Sequence, residues 1–108
     1  MALRFSVGKT EGGNQPSWWL YGANGEQVAW AGETFASESN ARRAAIAFRD
    51  GASAADFEVY SDAGSSWRWR AWRSSDKVAA SGESFDSRAN AQRAADNVRL
   101  NAGSAGGL

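Results

Sequence analysis

The sequence contains no cysteine and no histidine, and these two absences restrict its chemistry. Without cysteine there can be no disulfide, no thiolate nucleophile and no zinc site of the Cys/His type. Without histidine there is no imidazole for acid–base catalysis. Only carboxylate, hydroxyl and amine chemistry remains. The sequence also contains no phosphate-binding loop, nucleophile elbow or cluster of metal ligands. We therefore expect no catalytic, metal-binding or cofactor-binding residues and predict that the protein is not an enzyme.

Net charge and long apolar runs are also lacking. Twelve basic residues balance twelve acidic ones, so no global field attracts nucleic acid or an anionic membrane. No signal peptide is visible in residues 1–9, and no apolar stretch approaches the length of a membrane span. We therefore expect a cytoplasmic protein with no membrane partner. Its 108 residues, 43% of them apolar, suffice for one domain with a modest core.

An internal repeat of about 50 residues occupies most of the chain. When the sequence is shifted by 50 places, 14 of the 34 positions from Trp19 to Ala52 are identical, and Trp19 matches Trp69. So many identical positions in an alignment without gaps indicate a duplication. Repeat one covers about residues 3–52 and repeat two about 55–103, and 104–108 is expected to be a flexible tail. The first loop of repeat one, residues 9–17, reads as two residues longer than its counterpart.

Each repeat has the pattern of three strands followed by a helix. The segment Trp67 to Arg73 alternates strictly, which is typical of a half-buried strand. Asn24-Gly25 is a strong signal for a tight turn between two strands. Ser37 and Ser87 are favourable N-cap residues for the helices. The apolar positions that follow have helical spacing and are mostly alanine: Ala41, Ala44, Ala45 and Phe48 in repeat one, and Ala91, Ala94, Ala95 and Val98 in repeat two.

These patterns predict an α+β fold in which tandem β-β-β-α repeats share one antiparallel sheet. Each helix is lined with alanine, so it can approach the sheet closely but contributes little volume, and large strand residues must fill the core. One unit of about 50 residues would be marginally stable alone. We expect the two units to join about an approximate two-fold axis, with both helices packed on one face.

Repeat two reads Phe-x-Val-Tyr, then Trp-Arg-Trp-Arg, a turn, Val-Ala-x-Ser-Gly-Glu-x-Phe, and Ser-x-x-Asn-Ala at the start of its helix. The positions involved are Phe57, Trp67, Trp69, Gly82, Glu83, Phe85, Ser87 and Ala91, with Asn24-Gly25, Gly32-Glu33, Phe35 and Ser37 in repeat one. In these residues the chain resembles the YegP-like family of small bacterial and archaeal proteins of unknown function. The resemblance implies tandem repeats, or dimers of single repeats, sharing one antiparallel sheet. It also implies a short strand after each helix, exchanged between the halves.

The sheet face opposite the helices is the most informative candidate for function. If Trp19 and Trp69 point inward, the residues pointing outward are Trp18, Leu20, Arg68, Arg70 and Trp72. With two helices on the other face, nothing in the chain is left to cover them. Tryptophan and arginine are enriched in protein interfaces, which favours self-association as a homodimer or contact with a protein partner. The same side chains can stack on single-stranded nucleic acid or form cation–π pairs, but zero net charge disfavours nucleic acid.

Two repeated features suggest other functions. Glu33 and Glu83 could act as a catalytic pair of carboxylates if the fold brought them together, although a structural role near a helix N-terminus is favoured. Four repeated arginines could bind phosphates, although solvated or paired helix arginines are more common. They are Arg43, Arg49, Arg93 and Arg99.

Overall fold

The structure, a computed structural model, describes residues 3–108 and contains the predicted β-β-β-α unit twice. The elements are β1 Arg4–Lys9, β2 Pro16–Tyr21, β3 Gln27–Trp30, α1 Glu38–Gly51, β4 Asp56–Ser61, β5 Trp67–Arg73, β6 Asp76–Ala80 and α2 Arg88–Asn101. A short 3-10 turn follows each helix, at Ala52–Ala54 and Ala102–Ser104. The predicted α+β class is therefore confirmed.

All six strands form a single antiparallel sheet in the order β1-β2-β3-β6-β5-β4. The two repeats meet in the middle of this sheet, where Trp30 of β3 lies opposite Ala80 of β6. Helix α1 packs on β1 and β2, and α2 packs on β4 and β5. Both helices contribute to one core cluster, so they cover the same face of the sheet as predicted.

The helices begin and pack as their sequences predict. The Ser37 side chain accepts a hydrogen bond from the Asn40 N–H at 3.0 Å, and Ser87 accepts one from Asn90 at 3.1 Å. Each cap satisfies a backbone donor that the first helical turn would otherwise leave free. The buried helix residues are Ala41, Ala45 and Phe48 in α1 and Ala91, Ala95 and Val98 in α2.

Aromatic side chains fill the space that the alanines leave. In repeat one, Trp18 stacks on Phe48 of α1 with ring centroids 5.2 Å apart and meets Phe5 edge-on at 5.5 Å. In repeat two, Phe57 lies 5.4 Å from Trp69. The rings of Phe48 and Phe57 are 6.5 Å apart, so the two groups form one continuous chain of rings across the molecule.

The predicted orientation of β2 is wrong. Trp18 and Leu20 were expected on the open face, but both are fully buried beneath the helices. Trp19, expected inside, lies on the open face and is only partly buried. In β5 the prediction is confirmed, because Trp69 points into the core while its neighbours Arg68 and Arg70 are partly exposed.

The cause of this error is a difference of one residue in the register. Val7 pairs with Trp18 in repeat one, and Val59 pairs with Trp69 in repeat two, so Trp18 is the true counterpart of Trp69. The two extra residues of repeat one are therefore divided between the loops before and after β2. A shift by one residue moves every side chain of a strand to the other face.

Residues 104–108, expected to be a flexible tail, lie against the first strand in the structure. The Phe5 N–H donates to the Gly106 carbonyl at 2.8 Å, and the Gly106 N–H donates to the Leu3 carbonyl at 3.1 Å. Ala105 is buried, and Gly106 forms a parallel bridge with Arg4. Of the exchanged short strands that the resemblance implied, the structure shows only this single bridge after α2, whereas the chain after α1 continues through Ala52–Ala54 into β4.

Replacing Trp18 should therefore cost far more stability than replacing its neighbour. We expect Trp18→Ala to lower the free energy of unfolding by about 3–5 kcal/mol, as is usual when a large buried ring is removed. Trp19→Ala should cost about 1 kcal/mol or less, because its ring is only partly buried. Guanidinium unfolding of the two variants measures both values, and equal losses would show that the assigned register is wrong.

Candidate binding face of the sheet

The face of the sheet opposite the helices, called the outer face below, is not covered by any element between residues 3 and 108. Its large side chains are Trp19, Tyr21 and Trp30 from repeat one and Glu58, Tyr60, Arg68, Arg70 and Trp72 from repeat two. Their orientations follow from strand alternation, since the residues between them are buried or packed against the core.

The structure brings together only part of the predicted binding surface. Arg68, Arg70 and Trp72 lie on the outer face as expected. Trp18 and Leu20 do not, because they are core residues. Their places are taken by Trp19 and Tyr21, one position along β2.

Trp30 belongs to the outer face and was not predicted. It is the cross-strand neighbour of Trp19, so the two indoles of repeat one lie on adjacent strands. The sequence contains an indication of this orientation, because Trp30 stands between two small apolar residues, Ala29 and Ala31. The structure shows that both alanines are buried, so Trp30 points to the other face. The matching residue in repeat two is Ala80, so the repeat comparison gave no reason to select it.

A wide cleft of about 790 Å³ opens on the outer face near the junction of the repeats. Small residues at its base, including Ser6, Gly8 and Ala80, leave room between larger side chains. Those larger side chains are Trp19, Tyr21, Trp30, Tyr60 and Arg68, with Lys9 from the end of β1 and Glu11 from the β1–β2 loop. Both repeats therefore contribute to one concave surface.

Gly82 helps to position one side of this cleft. Its backbone has φ +75°, and a Cβ atom built there would lie 3.1 Å from Cδ1 of Trp30 and would overlap the Gln27 amide. Any other residue would be strained in this conformation and would displace both neighbours. The glycine thus allows the Trp30 ring to lie close to the backbone that follows β6.

Beside the cleft, Arg70 forms a compact group with three neighbours, which we call the Arg70 cluster: Glu58, Tyr60, Arg70 and Trp72. The Arg70 guanidinium lies 4.2 Å from the ring centroid of Tyr60 and 5.5 Å from that of Trp72. Its Nε donates to Glu58 Oε1 at 2.7 Å, and the Trp72 indole N–H donates to the same oxygen at 3.1 Å. These contacts hold the four side chains in one arrangement.

Acidic neighbours neutralise both arginines of the outer face. Hydrogen bonds from Arg70 and then from Trp72 hold the pKa of Glu58 below its ordinary value. The Arg68 side chain, 3.0 Å away, and the backbone N–H groups of Ser66 and Gly64 likewise lower the pKa of Asp62. Both carboxylates therefore stay ionised at neutral pH, and the surface carries paired charges rather than a positive patch.

The structure does not bring Glu33 and Glu83 together. They follow β3 and β6, which run antiparallel with Trp30 opposite Ala80. The chain therefore leaves these two strands in opposite directions before it reaches Glu33 and Glu83. A carboxylate pair acting as acid and base would need both groups to reach one substrate, and this arrangement gives no support to such a pair.

Two of the four repeated arginines are paired with acidic neighbours. Arg49 contacts Asp50 at 3.1 Å, and Arg99 contacts Asp96 at 3.5 Å. In the described part of the chain, no three acidic side chains come together as a group that could hold a metal ion. Neither α1 nor α2, which are the helices between residues 3 and 108, is long and apolar enough to cross a membrane.

The charge pair of the Arg70 cluster should make stability depend on pH. Because the folded protein lowers the pKa of Glu58, its contribution is present above the ordinary glutamate pKa of about 4.3 and is lost as the pH falls through the folded value. We expect Glu58→Gln to be less stable than the parent at pH 7 and to lose less stability between pH 5 and about pH 3. Urea unfolding at these pH values measures both effects. Glu83→Gln, which removes a carboxylate outside the Arg70 cluster, is the control variant.

Two solved structures share this fold over nearly the whole chain. One is a UPF0339 protein from Shewanella oneidensis, with a TM-score of 0.79 and 14% sequence identity over 99% of this chain and 91% of that one. The other is YegP from E. coli, a protein of unknown function, with a TM-score of 0.77 and 17% identity over 94% and 87% of the two chains. No protein-family model matches the sequence, and no curated protein matches it. The fold that the YegP-like resemblance implied is therefore confirmed, and no specific function accompanies it.

Proposed function

We propose that the protein is a non-enzymatic binding module that associates through the outer face, in the first place with a second copy of itself. The observation that carries this proposal is the open cleft of about 790 Å³, lined by Trp19, Trp30 and Tyr60. Aromatic and arginine side chains are enriched in protein interfaces and in the hot spots that supply their energy. An uncovered face of this composition is typical of an interaction surface.

The cleft and the Arg70 cluster lie side by side on the outer face and share only Tyr60, an arrangement that suits a two-fold dimer. The cleft takes most of its lining from repeat one, whereas the Arg70 cluster lies on β4 and β5 of repeat two. In a two-fold interface the same surface is used by both copies, and each part meets a different part of its partner. The Arg70 cluster of one copy would then pack into the cleft of the other, and this contact would occur twice.

Size and charge support a protein partner. A standard interface buries about 800 Å² on each side. The molecule measures 35 × 31 × 30 Å, so one face of the sheet offers roughly this area. The pairing of Arg70 with Glu58 and of Arg68 with Asp62 leaves little free charge on the face. Such a surface can be desolvated at lower cost than one with isolated arginines.

The proposal predicts a dimer of twice 11.5 kDa that depends on the Arg70 cluster. Trp72→Ala should raise the dissociation constant of the dimer roughly 1,000-fold, since truncating a hot-spot residue costs about 2 kcal/mol and each dimer loses two copies of Trp72. Sedimentation velocity over a range of concentrations measures this constant. Leu100→Ala is the matched control, because Leu100 is exposed on the helix side and should have no effect.

A parent protein that stays monomeric at the highest accessible concentration would exclude self-association. A dimer that is equally stable with Trp72→Ala would place the interface elsewhere. Unfolding curves of the variant show whether a loss of dimer reflects a loss of the fold.

Single-stranded nucleic acid is the second candidate, favoured by the adjacent indoles of Trp19 and Trp30 in the cleft. Each base stacked on such a ring contributes about 1–3 kcal/mol, and Lys9 and Arg68 could meet the phosphates. This alternative predicts that a short oligothymidine quenches tryptophan fluorescence at low salt and that quenching declines as salt is added. No quenching at low salt would exclude it.

A further inference from the structure

A second, smaller pocket lies on the other side of the sheet, at the C-terminal half of α1. Its volume is about 190 Å³, and its wall is mainly apolar, with Phe35, Ala44, Phe48 and Val78. The mouth is formed by the charged side chains Glu33, Arg73, Asp76 and Lys77. This pocket is separate from the outer face and does not depend on the function proposed for that face.

The duplication provides an internal comparison for this pocket. The positions of α2 that correspond to Ala47 and Gly51 are Asn97 and Asn101. The Asn101 side chain donates to both the carbonyl and the side-chain oxygen of Asn97, at 2.9 and 2.8 Å. Larger polar side chains thus occupy in α2 the positions where α1 presents only a methyl group and a hydrogen.

The cations at the mouth also differ between the repeats. The strand register aligns Lys77 with Gln27, and the residues that follow Trp72 and Tyr21 are Arg73 and Gly22. By contrast, the two acids at the mouth have acidic counterparts in the other repeat, namely Glu83 for Glu33 and Glu26 for Asp76. Repeat two's hairpin therefore adds two positive charges where the other end of the molecule has none.

Local geometry holds the Arg73 guanidinium beside the pocket, whereas the Lys77 side chain, which also lines the pocket, runs past Gly32 and Ala80. The Arg73 Nη2 donates to the Ala47 carbonyl at 3.2 Å, and the guanidinium lies so close to Gly51 that a Cβ atom there would overlap it. A Cβ atom on Gly32, which has φ +81°, would lie 3.6 Å from the Lys77 ammonium. Within residues 3–108, neither Arg73 nor Lys77 has a carboxylate at salt-bridge distance.

We propose that this pocket binds a small monocarboxylate with an apolar chain. The volume of about 190 Å³ is below the range usual for drug-sized ligands and holds roughly six groups of the size of a water molecule. The chain would pack against Phe35, Phe48 and Val78, and the carboxylate would lie between Arg73 and Lys77. Because Glu33 and Asp76 also line the mouth, a ligand with more than one negative charge is disfavoured.

Hexanoate is a suitable probe, and 1-hexanol is the neutral molecule with the same chain. In ¹H–¹⁵N correlation spectra, hexanoate should shift the amide signals of Ala44, Phe48 and Val78 in a saturable manner, with a dissociation constant on the order of 1 mM. Lys77→Gln, which installs the residue of repeat one, should weaken hexanoate binding about tenfold and leave hexanol binding unchanged.

Two further variants test whether the molecules bind in this pocket. Ala47→Asn installs the α2 residue on the exposed surface of α1 and should abolish binding of both molecules without changing the melting temperature by more than about 3 °C. Asn97→Ala makes the reverse change at the opposite end and should leave binding unchanged. The proposal is overturned if no saturable shifts occur, if Ala47→Asn binds hexanoate as the parent does, or if Lys77→Gln does not discriminate between acid and alcohol.

Discussion

The ring contact between Phe48 of α1 and Phe57 of β4 joins the aromatic cores of the two repeats, and the rest of the structure depends on this shared core. The backbone offers little at this junction, because β3 and β6 are joined through Trp30 opposite Ala80 at the centre of the sheet. The helices offer little volume, since alanine predominates on their buried sides. Trp18 and Trp69 extend the contact into the two halves, so a single aromatic chain supplies the core that neither repeat could build alone.

This arrangement also determines where function can lie. Both helices contribute to one core cluster, so they cover the same face, and the other face of the sheet stays open. Small helix residues bring α1 close to the sheet, yet Ala47 and Gly51 leave a pocket at its end. The open face and the pocket therefore both result from a core that is filled mainly by large side chains of the strands and only slightly by the small side chains of the helices.

The fold could be predicted because the duplication repeats its structural signals. The serine caps, the helical spacing of the alanines and the alternation of β5 can each be recognised from the order and spacing of residues along the chain. All three are confirmed. The orientation of β2 could not be predicted in this way, because Trp18 and Trp19 are adjacent and either could match Trp69. Loop lengths decide between them, and a comparison without gaps places both extra residues in one loop.

The residues that differ between the repeats explain why the candidate sites were harder to find. Trp30 faces Ala80, Lys77 corresponds to Gln27, and Ala47 corresponds to Asn97, so no repeated motif marks the cleft or the pocket. Residues shared by the two repeats maintain the fold. The residues that differ create surfaces that occur once in the molecule and are not repeated at the symmetry-related position. A duplicated chain can change one copy in this way while the other copy still supports the common core.

The most direct test of this account is a set of NOE contacts from the ring protons of Phe48. The account predicts NOEs from Phe48 to the indole of Trp18 on one side and to the ring of Phe57 on the other, at the observed centroid separations of 5.2 and 6.5 Å. NOEs from Phe48 to Trp19 in place of Trp18, or the absence of any contact with Phe57, would contradict it.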